Sequence, residues 1–140
     1  MSEQGLRLAA AARALAGAPF RLYGRDPATG LDCIGLVLAA LRSCQVAGPP
    51  LPPYALRNRD IAGLEAQAAN WGLARRPLPG IADPPEAGDI VLARPGPAQH
   101  HLLVALGANA CVHAHAGLGR VVVQALSDWP LAGRWHPRPF

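Results

Sequence analysis

Apolar residues recur at helical spacing through the first half of the chain, and this pattern predicts three helices. The predicted helices cover about residues 3–16, 32–42 and 59–71. Gly17 ends the first helix, and Asn58 can cap the third. The second helix is apolar nearly all round until Arg42, which is typical of a helix buried at the centre of a domain.

The second half of the chain changes to a pattern of short strands. Apolar runs bounded by Gly or Pro recur about every ten residues, at 89–93, 101–106, 110–115 and 120–124. Tight turns between these runs predict an antiparallel meander, and a last short strand is predicted around 133–136. Helices followed by strands indicate an α+β fold. A chain of 140 residues is expected to form a single domain over 1–140.

Charge and composition narrow the classes of function. The 13 basic residues are all arginine, so lysine-based chemistry such as a Schiff base or a P-loop is excluded. The net charge of +4 is more typical of a solvated basic surface than of a dedicated binding face, and an anionic partner such as a cell-wall polymer is compatible with it. The arginines are scattered and aromatic residues make up only 5%, so no nucleic-acid partner is predicted.

The first eighteen residues are rich in Ala and Leu but are interrupted by charges. Glu3, Arg7 and Arg13 break the apolar pattern, and no segment reaches the ~18 uncharged apolar residues of a membrane helix. We therefore expect no signal peptide and no membrane span, and synthesis in the cytoplasm.

Cys33 is the first candidate for chemistry because it lies in the first turn of the second predicted helix. Unpaired backbone N–H groups and the positive end of the helix dipole stabilise a thiolate there. The same N–H groups can form part of an oxyanion hole. Asp32, immediately before, can cap the helix. The alternative is that Cys33 is a small buried apolar residue, as most free cysteines are.

Histidines in the predicted strands are the second set of candidates. His101 begins an apolar strand and can serve as the base that a thiol nucleophile needs, whereas His100 is expected on the opposite side or in the preceding loop. His113 and His115 share one face of the next strand, so His113 can become a cross-strand neighbour of His101 and orient it.

A rival interpretation is a zinc site built from His101, His113 and His115. No carboxylate or cysteine stands at a convincing spacing to complete it, so neither a metal nor a cofactor is expected.

Residues 30–37, Gly-Leu-Asp-Cys-Ile-Gly-Leu-Val, resemble the signature G-[FL]-D-C-S-G-L-V of the NlpC family of papain-like cell-wall cysteine peptidases. Other segments are similar to further motifs of that family, in the same order. They are residues 19–24 (P-Y-x-W-G-G in the family), 88–91 (G-D-L-V), 101–106 (H-V-G-I-Y) and 112–114 ([FV]-I-H-A). The resemblance runs from about Pro19 to Val123, and an ordered set of motifs is far more specific than any one of them.

This resemblance implies a papain-like α+β fold in which N-terminal helices pack on an antiparallel meander. It implies that Cys33 is the nucleophile, that His101 is the base and that His113 orients His101. It also implies hydrolysis of a peptide bond in peptidoglycan stem peptides.

The sequence departs from the family pattern at several positions around the nucleophile. Ile34 replaces the family serine, and Phe20 holds the place of the family tyrosine without its hydroxyl, while Tyr23 lies three residues later. His115 is additional to the pattern. The residues expected to bind substrate or support the oxyanion are Phe20, Tyr23, Asp32, Ile34 and His115.

The run 26–33 and the short length are similar to the phage-type branch of the family. This similarity implies a protein that is made in the cytoplasm, built into a phage or gene-transfer-agent tail, and used in the cell wall. Its partners would be tail proteins as well as peptidoglycan. The alternative is a non-catalytic tail-assembly protein with the same fold.

Overall fold

Helices come early in the chain and most strands follow, as the hydrophobic pattern predicts. The computed structural model describes residues 1–51, 62–96, 100–126 and 128–140. The described helices are α1 (Glu3–Ala14), α2 (Cys33–Ser43) and α3 (Ala62–Ala68), with a 3₁₀ turn (Ala69–Trp71) after α3. The described strands are β1 (Arg25–Asp26), β2 (Gly30–Leu31), β3 (Leu73–Arg75), β4 (Ile90–Ala93), β5 (His101–Ala105), β6 (Ala110–His115), β7 (Arg120–Ala125) and β8 (Leu131–Pro137).

A six-stranded sheet forms one layer of the domain, with the strand order β3-β8-β4-β5-β6-β7. All neighbouring strands in it are antiparallel, and β4 to β7 form the predicted meander. The two short strands β1 and β2 form a separate hairpin directly before α2. The α+β fold predicted from the sequence is confirmed.

Helix α2 lies at the centre of the molecule, where it packs against α1 on one side and against β5 and β6 on the other. Every residue of α2 from Cys33 to Leu41 is buried, as its apolar sequence predicts. The first turn of this helix is therefore held against the strands that carry the candidate histidines.

Several elements differ from the sequence-based expectation. Strand β8 is longer than predicted and is an interior strand, because it pairs with both β3 and β4. Strands β1, β2 and β3 have only two or three residues each, which is too short to produce a periodic pattern. Helix α1 ends at Ala14 because Leu15 already caps it. The predicted cap Asn58 and the predicted helix start at Arg59 lie outside the described residues.

Helix α1 is anchored to the sheet by a chain of hydrogen bonds. The Oγ atom of Ser2 accepts the backbone N–H of Gly5 and lies 2.6 Å from Nε2 of His136 on β8. Nδ1 of His136 donates to Asp89 at 2.7 Å, and Nε of Arg134 donates to the same carboxylate at 2.7 Å. This chain fixes the start of α1 against β8 and the residue that precedes β4. No helix in the described ranges is long and apolar enough to cross a membrane.

We expect Gly5→Ala to destabilise the protein, although alanine is the better helix former by ~1 kcal/mol. A Cβ atom at Gly5 would overlap the carbonyl oxygen of Ala87 and lie 2.7 Å from Cε1 of His136. Overpacking of this kind costs about 1–3 kcal/mol, which urea unfolding can measure. Gly80→Ala is the control, because its added methyl group meets no atom within 4 Å. A Gly5→Ala protein as stable as the wild type would show that α1 does not sit this close to the sheet.

Candidate active site

The start of α2 is fixed by the side chain of Asp32, which is fully buried. Its Oδ1 atom accepts the backbone N–H of Gly35 at 2.7 Å and a hydrogen bond from Arg25 at 3.1 Å. Its Oδ2 atom accepts the backbone N–H of Tyr23 at 2.9 Å. The predicted helix cap is therefore confirmed, and the same carboxylate ties the β1–β2 region to the helix. Cys33, as the first residue of α2, has a fixed position.

A cavity of about 340 Å³ lies where the start of α2 meets the sheet. Cys33 lines it from the helix, and Phe20 and Trp129 line it from neighbouring segments. Four histidines complete much of the wall: His100, His101, His113 and His115. The structure thus brings the predicted nucleophile, base and orienting residue to one cavity.

His101 and His113 form a direct hydrogen bond, in which Nε2 of His101 lies 2.8 Å from Nδ1 of His113. Their ring planes are nearly perpendicular, with centroids 4.9 Å apart. Trp129 packs edge-on against both rings, at centroid distances of 6.2 and 6.4 Å. The cross-strand neighbourhood predicted for the two histidines is confirmed, and Nδ1 of His101 remains as the ring atom that can exchange a proton with a thiol.

This hydrogen bond counts against the rival zinc interpretation. The bond joins a donor nitrogen of one neutral ring to an acceptor nitrogen of the other, so just one of the two remaining ring nitrogens carries a lone pair that could bind a zinc ion. Within the described residues, the group whose metal-binding atoms lie within 4.8 Å of one another is Glu86, Asp89 and His136, away from this cavity. In that group, Arg76 bonds to Glu86 at 2.8 Å. Arg134 bonds to Asp89, so arginines already neutralise both carboxylates.

The electrostatics of Cys33 differ from the expectation of a stabilised thiolate. Burial raises the pKa of the Cys33 thiol to about 12, and the negative charge of Asp32 adds to this effect. The backbone N–H groups of Leu102, Ile34 and Cys33 itself oppose the increase in pKa. The helix start therefore acts in the expected direction, but desolvation of a sulfur that is 1% exposed outweighs it.

The electrostatics of His101 complement those of the cysteine. Burial, with a smaller contribution from the positive charges that His113 and His115 would carry, lowers the pKa of His101 to about 4. At neutral pH the cavity therefore holds a neutral thiol and a neutral imidazole. Such a pair begins catalysis by general-base transfer of the thiol proton during attack, and not from a preformed ion pair.

Of the predicted supporting residues around the nucleophile, Phe20 lines the cavity. Tyr23 is 53% exposed and is not among the residues that line the cavity; its backbone N–H group contributes by holding Asp32. Asp32 acts through the helix start and not by touching the cavity. Its full burial leaves no surface for a substrate.

Ile34 and His115 also occupy different environments. The Ile34 side chain is 2% exposed and lines a separate apolar cavity together with Leu92 and Trp135, so only its backbone N–H group faces the sulfur. His115 lines the cavity that contains Cys33, as expected, and its Nδ1 atom accepts the backbone N–H of Leu118 at 3.0 Å. That hydrogen bond fixes the orientation of the His115 ring.

Sequence reasoning did not assign His100 or Trp129 to the cavity wall. His100 lies in the loop before β5, one of the two places expected for it, but it is 8% exposed and lines the cavity beside His101. Trp129 reaches the histidines from the segment before β8, and its place in the sequence gave no sign of this contact. Both positions depend on the path of the loops beside the sheet, which the spacing of hydrophobic residues in the sequence does not predict.

We expect Cys33 in the folded protein to react slowly with iodoacetamide. A thiol with a pKa of about 12 in place of 9.0 holds about 1000-fold less thiolate at pH 7. Peptide mass spectrometry after timed alkylation measures Cys33, Cys44 and Cys111 separately, and the urea-unfolded protein is the control. Rapid alkylation of Cys33 at pH 7 in the folded protein would show instead that the helix start dominates.

Comparisons with solved structures identify this fold. The NlpC/p60 domain of the peptidoglycan hydrolase SagA superposes with a TM-score of 0.61 at 21% identity, covering 93% of this chain and 96% of that one. The peptidoglycan hydrolase RipB from Mycobacterium tuberculosis has a TM-score of 0.61 at 20% identity, over 96% of this chain and 64% of that one. NlpC2 from Trichomonas vaginalis has a TM-score of 0.68 at 17% identity, over 98% of this chain.

This chain spans 47% of the length of the Trichomonas protein, so the match concerns one domain of a longer molecule. The sequence itself matches no family model and no curated protein. The likeness therefore rests on the three-dimensional structure, over nearly the whole chain. The chain has the papain-like α+β fold of the NlpC/p60 domains, the fold that its ordered motifs predicted.

Proposed function

We propose that this protein is a cysteine peptidase that hydrolyses peptide bonds in peptidoglycan stem peptides. The observation that carries the proposal is the meeting of Cys33, His101 and His113 in one cavity, with the two histidines hydrogen-bonded at 2.8 Å. The motifs around these residues and the peptidoglycan hydrolases of the same fold support the choice of substrate. The net charge of +4 favours approach to an anionic polymer.

The proposed reaction begins from the neutral pair. His101 takes the proton of the Cys33 thiol while the sulfur attacks the carbonyl carbon of the scissile bond. The resulting oxyanion is stabilised by backbone N–H groups at the start of α2, those of Cys33 and Ile34. His101 then donates the proton to the leaving amine, and a thioester remains on Cys33. Water, activated by the same imidazole, hydrolyses the thioester and regenerates the thiol.

His113 and Trp129 assist without bonding to the reacting atoms. The hydrogen bond from His113 fixes the orientation of the His101 ring. Trp129 covers both rings with its apolar edge, which limits the access of water to the hydrogen bond between them. Phe20 contributes bulk but no hydroxyl, so the oxyanion depends on the backbone donors.

We expect Cys33→Ala and His101→Ala to reduce the release of new amines from cell-wall sacculi by at least about 1000-fold, because each removes a reacting group. The measurement is amine labelling and mass spectrometry of the digest, with reductant present. Cys111→Ala is the matched control, because Cys111 is also buried but packs in a separate apolar cluster with Ala93 and Leu103. Full activity of Cys33→Ala would contradict the proposal. An inactive wild-type protein would favour a non-catalytic assembly role.

We further propose that the protein acts as part of a phage or gene-transfer-agent tail and reaches the cell wall in that particle. The resemblance of residues 26–33 to the phage-type branch supports this setting. These residues include most of the β1–β2 hairpin and Cys33 itself.

A tail component is expected to copurify with particles. An epitope-tagged chain should sediment with tails in a density gradient and should be accessible to antibody at one end of the particle. The Cys33→Ala chain is the control, since assembly does not require hydrolysis. Recovery of the tagged chain only in soluble fractions would contradict the tail location and leave the peptidase proposal unaffected.

A further inference from the structure

The far side of His113 presents an unsatisfied polar atom. His113 is 2% exposed, and its Nδ1 atom is used by His101. Its Nε2 atom is buried and has no hydrogen-bond partner within the part of the chain that the structure describes. A buried ring nitrogen without a hydrogen-bond partner lowers the stability of the folded protein. A neighbouring polar side chain is therefore expected to pair with it.

Gln124 on β7 lies on the same sheet face as His113. The register pairs His113 with Val122 and Cys111 with Gln124, so Gln124 is the diagonal cross-strand neighbour of His113. Side chains on this diagonal are within reach of one another. Burial lowers the pKa of His113, and the Gln124 side chain opposes this as a hydrogen-bond partner does.

The tautomers of the two histidines are linked. A neutral imidazole has one donor and one acceptor nitrogen. For His101 to accept a thiol proton on Nδ1, its own hydrogen must be on Nε2 and must be donated to Nδ1 of His113. His113 then carries its hydrogen on Nε2, and that N–H group needs an acceptor. The side-chain carbonyl oxygen of Gln124 is an acceptor in the right place.

We propose that Gln124 is a positioning residue whose carbonyl oxygen accepts the Nε2–H of His113 and so fixes the tautomer of both histidines. This inference rests on the proposed peptidase function of the same site. If the amide nitrogen of Gln124 faced His113 instead, the hydrogens would reverse along the chain. Nδ1 of His101 would then carry a proton and would be unable to accept one from Cys33. Gln124 acts through His113 and does not touch the substrate.

Kinetics with three variants test this role. Gln124→Met keeps the side-chain length but removes the acceptor, and kcat on sacculi should fall about 10- to 100-fold with KM nearly unchanged. Gln124→Glu keeps an acceptor and should retain kcat within about threefold. Its carboxylate should also raise the pKa of the acid limb of the pH profile. Val123→Met is the control, because Val123 is on the opposite face of β7 and is 39% exposed.

Equal losses in Gln124→Met and Gln124→Glu, or full kcat with an unchanged pH profile in Gln124→Met, would overturn the proposal. Nitrogen-15 NMR of the intact, substrate-free protein provides a separate test. At pH 7 the wild type should show His113 protonated on Nε2, and Gln124→Met should show a mixture of tautomers. A wild-type His113 protonated on Nδ1 would overturn the inference. Because this measurement needs no substrate, it decides the role of Gln124 even if Cys33→Ala proves fully active.

Discussion

The position of the reactive sulfur depends on one buried carboxylate. The Asp32 carboxylate accepts the backbone N–H groups of Tyr23, before the β1–β2 hairpin, and of Gly35, in the first turn of α2. It also pairs with Arg25. A cap of this kind stabilises a helix by ~1 kcal/mol, but here it also sets where the helix begins. Gly35 completes the constraint, since a Cβ atom at that position would overlap the carbonyl oxygen of Gly24. The hairpin can therefore lie directly against the first turn of α2.

The same carboxylate is one of several groups that determine the pKa of Cys33. Its negative charge disfavours a thiolate on Cys33, and burial disfavours it more strongly, while helix and strand N–H groups favour it. The balance leaves a neutral thiol beside a neutral imidazole. In the proposed reaction, charge would form only when the backbone donors can stabilise an oxyanion, which would couple the reactivity of Cys33 to occupancy of the cavity.

The sequence predicted the features that depend on local pattern. The capped start of α2 follows from Asp32 and Cys33, and the pairing of His101 with His113 follows from two strands joined by a tight turn. Features that depend on distant packing were not predictable: the insertion of β8 between β3 and β4, the burial of His100, and the approach of Trp129. The raised pKa of Cys33 was not predictable either. The sequence indicates the helix dipole, which lowers this pKa, but not the desolvation that outweighs it.

Enclosure of the sulfur has a consequence for the durability of the protein. Peroxides oxidise the thiolate, and a sulfur kept protonated and away from solvent forms sulfenic acid slowly. Cys44 and Cys111 are buried as well, so all three cysteines share this protection. Burial of all three thiols is therefore expected to slow their oxidation in air, and with it the loss of free thiol at Cys33.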